Sequence, residues 1–187
     1  MTRVVLDACI LYSASLRGLL LHCATGGLLQ SFWSEEIQNK WTRNLLRNRL
    51  DLERESLEST RRKMKANFPN GLVRGYESIT ATLSLPDPKD RHVLAVAIHA
   101  QTEYIVTVNL KDFPNTVLRS YGIEAVSPDE FVFRLIQREP PLVLLATKHH
   151  RLSLKRPPKT VAEYLFTLEK QGMPKTVAFL RTHEGDI

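Results

Sequence analysis

The sequence predicts an α/β fold with a short, mainly parallel sheet flanked by helices, followed by a helical C-terminal extension. Three observations carry that expectation. Thr2-Arg3-Val4-Val5-Leu6 is a short β-branched run without polar alternation that stops at Asp7, the pattern of a strand covered on both faces. Glu103-Tyr104-Ile105-Val106-Thr107-Val108 is a second buried strand, and it too ends in polar residues. From Glu139-Pro140-Pro141 onward strand signals vanish and only helical spacing is left.

Taken in order, Ala8 to Ala24 follows the first strand, with Leu16, Leu19, Leu20 and Cys23 at helical spacing until Gly26-Gly27 stops the helix. A strand, an acid at its carboxyl end and a helix form the first half of a βαβ unit. Leu28 to Trp33 predicts a second strand. Ser34, with Glu35 and Glu36 behind it, starts a helix whose inner side is Ile37, Trp41, Leu45 and Leu46 and whose outer side includes Gln38, Asn39, Arg43 and Arg47. Leu52 to Phe68 is a further amphipathic segment carrying Arg61, Arg62, Lys63 and Lys65 toward solvent, ended by Pro69-Asn70-Gly71.

Leu72 to Leu85 has no regular pattern. Asp87 is a good N-cap, Pro88 suits the first helical position, and the apolar run Val93 to Ile98 then predicts a buried helix. Val117 to Tyr121 suggests a short helix and Ile123 to Val126 a short strand. Ser127-Pro128-Asp129-Glu130 opens another helix with an N-cap and an N1 proline. Helices near 142–150, 161–171 and 174–182 follow, expected to pack on the α/β core. The expected organisation is a domain over residues 1–138 and a helical extension over 139–187 packed on it.

The 187 residues are 43% hydrophobic and 25% charged, the balance of a globular chain with a real core. Lys plus Arg exceed Asp plus Glu by 26 to 20, for a formal charge of +6, which favours an anionic partner such as nucleic acid. Cys9 and Cys23 are the only cysteines and lie in apolar segments, so a disulfide framework is not implied and a reducing cytoplasm is the expected setting. No apolar run approaches the length of a membrane span, and the N-terminus lacks a signal-peptide pattern.

Placing Asp7 and the Asn109/Asp112 pair at the ends of neighbouring parallel strands, with Asp90 in the first turn of the helix feeding the second, brings acids to one rim, where ligands of open α/β sheets bind. Asp87 is expected to be the cap and Asp90 the acid available for chemistry. Converging carboxylates raise each other's pKa unless a cation resolves the conflict. Oxygen ligands without His or Cys at ligand spacing point to Mg²⁺ or Mn²⁺, and such a site suits phosphodiester hydrolysis. Arg91 and His92 stand next to that rim and are candidates for contact with substrate phosphate. Gly-rich phosphate loops, Gly-x-Ser-x-Gly elbows and His-Glu-x-x-His pairs are absent from the sequence. His149 and His150, among Lys148, Arg151, Lys155, Arg156 and Lys159, form a second basic strip; Trp33 and Trp41 are expected in the core.

Four segments in this order and spacing resemble a PIN domain, and more narrowly the VapC-like toxin nucleases of bacterial toxin–antitoxin pairs. They are Val4 to Tyr12, Trp33-Ser34-Glu35-Glu36-Ile37 with Asn44-Leu45-Leu46, Leu85 to Ala95, and Val106 to Pro114. The resemblance spans about residues 3–135 and extends to the helical tail. It implies a three-layer PIN-like fold and a divalent-metal-dependent endoribonuclease with catalytic Asp7, Asp90 and Asp112 holding Mg²⁺ or Mn²⁺, supported by Asn109 and Asp87. It further implies an RNA substrate, a small antitoxin partner and a homodimer. Where similar sequences carry a glutamate this chain has Lys40. Two readings follow: Glu36, one turn earlier on the same face, supplies the carboxylate, or the chain is a degenerate PIN fold that binds RNA or protein, with Lys40, Arg91 and His92 on the RNA side.

Overall fold

The protein is described here from a computed structural model covering residues 1–187. Its chain forms two compact units, one made of Thr2–Tyr12 with Gln30–Val126, the other of Ser13–Leu29 with Ser127–Ile187.

The first unit is the α/β one. Strands β1 (Thr2–Leu6), β2 (Leu29–Ser34), β3 (Leu72–Val73), β4 (Tyr104–Val106) and β5 (Glu124–Val126) form a five-stranded sheet in the order β3-β2-β1-β4-β5. The β1–β4, β2–β3 and β4–β5 pairings are parallel. β1 is central, and Val4, Val5 and Leu6 are fully buried, which is why its sequence shows no alternation. The register sets Leu6 opposite Val106, so Asp7 and Thr107 follow directly at the carboxyl ends of adjacent strands.

Helix α1 (Ala8–Tyr12) follows β1, but the expected single helix over residues 8–24 is broken at Ser13, whose hydroxyl accepts from Leu16 N and caps α2 (Ala14–Thr25). Ser34 caps α3 (Glu35–Asn48) in the same way, accepting from Ile37 N at 3.2 Å. Helix α4 (Arg54–Asn67) contributes Leu57 and Met64 to the core. Gln38, expected to face outward, is instead buried: it accepts from Trp41 Nε1 at 2.7 Å and donates to Met64 Sδ at 3.8 Å. A buried indole N–H requires a partner, and the amide one turn away supplies it. Trp33 and Trp41 are core residues, as expected.

The irregular passage after Pro69 contains the short strand β3 and helix α5 (Glu77–Thr80). β3 is only two residues long, too short for any periodicity to register. Helix α6 (Arg91–His99) is preceded by a 3₁₀ turn over Pro88–Asp90. Helix α7 (Asn115–Leu118) leads to β5.

The second unit holds α2, α8 (Pro128–Arg138), α9 (Pro140–Ser153), α10 (Val161–Lys170) and α11 (Pro174–Arg181). Compactness thus groups α2 and α8 with the C-terminal helices, whereas the expected boundary at 138/139 divides the chain by sequence order alone. Ser127 caps α8 with Pro128 at N1, as the sequence indicates. The carboxylate of Asp129 is buried and accepts from Lys175 N at 3.0 Å and Thr176 N at 2.9 Å, so one acid satisfies two orphan donors at the start of α11.

His150 departs from the expected basic strip, being buried with Nδ1 at 2.8 Å from the Tyr164 hydroxyl. A Cβ at Gly18 would run into its ring, so glycine there is a packing requirement. Burial, aided by the charge of Lys159 and the neighbouring His22, pulls the imidazole pKa down to about 3.

Replacing Asp129 with Ala leaves the two α11 amides without their acceptor and is expected to destabilise the fold by about 1–3 kcal/mol, read from the urea midpoint. An unchanged midpoint would show that water replaces the carboxylate at no cost. His150 gives a pH dependence of known sign. Unfolded His150 takes up a proton near pH 6.5 that the folded site refuses. The stability it confers is therefore complete above that pH and declines as pH falls toward 3, by up to about 1.4 kcal/mol per pH unit. Unfolding free energies at pH about 7 and about 4.5 should fall more steeply for the wild type than for His150→Gln.

Candidate active site

Within the α/β unit, Asp7 and Asp90 are the two buried acids, 3% and 5% exposed. Asp7 lies just past β1 and its side chain is fully engaged. Oδ1 accepts from Ala8 N at 2.6 Å, while Oδ2 accepts from Thr107 Oγ1 at 2.8 Å and Cys9 Sγ at 3.2 Å. Burial and the adjacent charge of Asp7 push the Cys9 thiol up to about 12, which keeps it protonated and a donor. Thr107 Oγ1 also accepts from Asn109 N at 3.1 Å. The strand register alone aligns Thr107 with Asp7; the sequence analysis did not single it out, although the residue following Val106 in a parallel neighbour of β1 was the available signal.

Asp90 ends the 3₁₀ turn rather than lying inside the helix. Asp87 accepts from Lys89 N at 2.9 Å and caps that turn, so its expected capping role is played one element earlier. Asp90 Oδ1 accepts from Lys40 Nζ at 2.7 Å. The side chains are 7% and 30% exposed, respectively, so a nearly buried carboxylate is paired with a partly exposed lysine. Partial burial opposes the Lys40 charge, but the hydrogen bond to Asp90 and the negative charges of Asp90, Asp7 and Asp87 outweigh it and hold the ammonium above its ordinary pKa.

His92 is buried behind this pair, and its Nδ1 makes no hydrogen bond. Burial, with Lys40 adding to it, lowers the His92 pKa against the opposing charges of Glu36, Asp7 and Asp90, so the ring is neutral at pH 7. Glu36 comes within 3.8 Å of it while remaining 58% exposed. Arg91 is half-buried with Nε unbonded.

The structure therefore brings together Asp7, Asp90, Lys40, His92 and, at the edge, Glu36. It does not join the others to them equally. Asn109 is linked through its backbone to Thr107, whereas Asp112 sits in the 3₁₀ turn Leu110–Asp112 and its side chain bonds to none of these groups. A divalent ion of the kind the resemblance implies needs several oxygens facing one point. No group of three or more His, Cys, Asp or Glu is so disposed, Asp7 is committed to three protein donors, and an ammonium lies on Asp90. The donor set as folded does not fit a resident Mg²⁺ or Mn²⁺.

A separate cleft of about 190 Å³ is lined by Arg61, Arg62, Lys65 and Arg74 together with Glu35 and Glu58, and it includes none of the rim acids. Arg61 is not solvated as expected: its side chain is 16% exposed and paired with Glu35 and Glu58. No helix of the chain is long and apolar enough to cross a membrane.

Residues 3–111 match the family model of the PIN domain, and residues 128–182 match that of the VapC50 C-terminal domain. A 68-residue stretch is 46% identical to the Mycobacterium tuberculosis protein named "Putative ribonuclease VapC50". That match covers 34% of this chain and 40% of the relative, so the chain spans well under half of the curated protein it is similar to. No solved structure matches.

Thr107→Val keeps the volume but removes the hydroxyl that donates to buried Asp7. It is expected to cost about 1.5–3 kcal/mol of unfolding free energy, the range for hydrogen bonds to charged groups. A urea midpoint equal to the wild type would mean Asp7 does not depend on that donor.

Proposed function

The chain belongs to the PIN domain family, and on that premise we propose that it is a ribonuclease, the toxin of a toxin–antitoxin pair, which hydrolyses RNA phosphodiester bonds. The observation that carries this reading is the placement of Asp7 and Asp90, two carboxylates held in the protein interior at the carboxyl end of the central strand and the entry of α6. Burying charge is costly, and groups so placed are candidates for chemistry. The naming of the relative as a ribonuclease and the excess of basic residues support RNA as the ligand.

The residues act as follows. Lys40 spends one N–H on Asp90 and retains two donors for phosphate oxygens. Facing the charge that develops on the phosphate, it is an electrostatic stabiliser of the transition state. Asp90 Oδ2, free of the Lys40 bond, accepts the proton of an attacking water as the phosphorus–oxygen bond to the leaving ribose oxygen breaks, and that oxygen takes its proton from solvent. Asp7 and Thr107 hold the rim rigid, and Arg91 reaches the backbone of the substrate. The proposed chemistry uses these side chains without a divalent ion, which the donor set as folded does not fit. A small antitoxin that covers this site, a homodimeric toxin and a cytoplasmic setting complete the proposal.

The test is cleavage of a mixed RNA substrate by the purified chain, with Mg²⁺, with Mn²⁺ and with chelator. Cleavage by wild type and a loss of about 100-fold or more in Asp90→Asn is the expected result. Equal rates for the two proteins would sink the proposal. The Lys40–Asp90 pair favours one second reading, RNA binding without cleavage. In that case no cleavage occurs under any of these conditions, while RNA is bound with an affinity that falls with salt, and Lys40→Ala flattens that dependence.

A further inference from the structure

We infer that the ammonium of Lys40 takes the place of a divalent cation as the counter-charge to Asp90 and Asp7, so that this site excludes Mg²⁺ and Mn²⁺ and becomes a metal site on replacement of that one side chain. The inference concerns the same rim as the proposed RNA chemistry, but it is read from metal binding, so either can fail without the other.

The geometry leaves the carboxylates already neutralised. Nζ lies 2.7 Å from Asp90 Oδ1, the contact of a charge-assisted hydrogen bond. A magnesium ion needs oxygens at about 2.0–2.1 Å in near-octahedral arrangement. To reach Asp90 Oδ1 it would have to enter beside a positive charge that is hydrogen-bonded to that atom, and the repulsion between them acts in a partly desolvated setting. Retreat of the ammonium is opposed as well, since Asp90 is 7% exposed at its side chain and a buried carboxylate stripped of its partner is strongly destabilising. Asp7 offers no alternative, because both its oxygens are engaged by Ala8 N, Thr107 Oγ1 and Cys9 Sγ.

Lys40 projects from α3 onto Asp90, fifty positions along the chain, and its charge is also felt by Asp7. A glutamate there is set against Asp90, with a carboxylate in place of the ammonium. The new carboxylate and Asp90, with the charge of Asp7 near them, repel one another until a cation joins them, and a cation that binds only the folded state raises its stability by mass action.

The experiment is thermal unfolding of the full chain and of Lys40→Glu, each in chelator and in excess MnCl₂, with Mn²⁺ binding counted directly by the loss of free-ion paramagnetic resonance signal. The wild type is expected to hold no Mn²⁺ and to melt within about 1 °C of the same temperature in both buffers. Lys40→Glu is expected to melt lower than wild type in chelator and to rise by roughly 5 °C or more with MnCl₂, binding at least one ion per chain. Lys40→Gln, which removes the ammonium without adding a charge, carries the test should the glutamate variant not fold, and it is expected to bind Mn²⁺ where the wild type does not. Stoichiometric Mn²⁺ binding by the wild type, or its absence from every folded variant, overturns the inference.

Discussion

The ion pair between Lys40 and Asp90 is the interaction on which the site depends. Burying Asp90 beside Asp7 puts two carboxylates in a partly desolvated rim, and such a rim is tolerable only if a positive charge is close to both. The ammonium at 2.7 Å meets that need for Asp90. His92 beneath it stays neutral because burial and the same ammonium disfavour a second positive charge. The neutral state of His92 therefore follows from its burial first and from the lysine on α3 second.

Asp7 is held by a different device. The β1–β4 register sets Thr107 beside it, α1 begins so abruptly that Ala8 N turns back onto its carboxylate, and Cys9 contributes a thiol donor. Three donors on one side chain fix its position and satisfy its lone pairs, which makes the central strand end a rigid platform. Asp90, by contrast, hangs from a 3₁₀ turn capped by Asp87 and accepts from the long, flexible side chain of Lys40, so the two acids differ in partner. This asymmetry suits Asp7 to support and, in the proposed reaction, Asp90 to meeting the substrate.

Much of the fold was legible because burial leaves a pattern. Strand β1, the apolar run of α6, the Ser34 and Ser127 caps and the helical tail all appear where the residues indicate. Gln38 and His150 are polar residues drawn inside by partners distant in sequence, Met64 for one and Tyr164 for the other, and helical periodicity assigns polar residues outward by default. β3 is two residues long. Ser13 interrupts a run of apolar spacing that on its own continues through it.

By itself the sequence determined the α/β class, the central strand ending in Asp7, the family resemblance, and the presence of a lysine where an acid was expected at position 40, because these are properties of local composition and motif order. Only the tertiary structure decided what that lysine does. Pairing across fifty residues depends on how α3 and the turn before α6 are brought together around the sheet, and no local pattern encodes a contact between side chains that far apart. The same holds for Thr107 on Asp7, which exists only once two parallel strands adopt one register. Distance and direction at the rim, rather than the list of acids, separate a cluster awaiting a metal ion from one already neutralised by the chain.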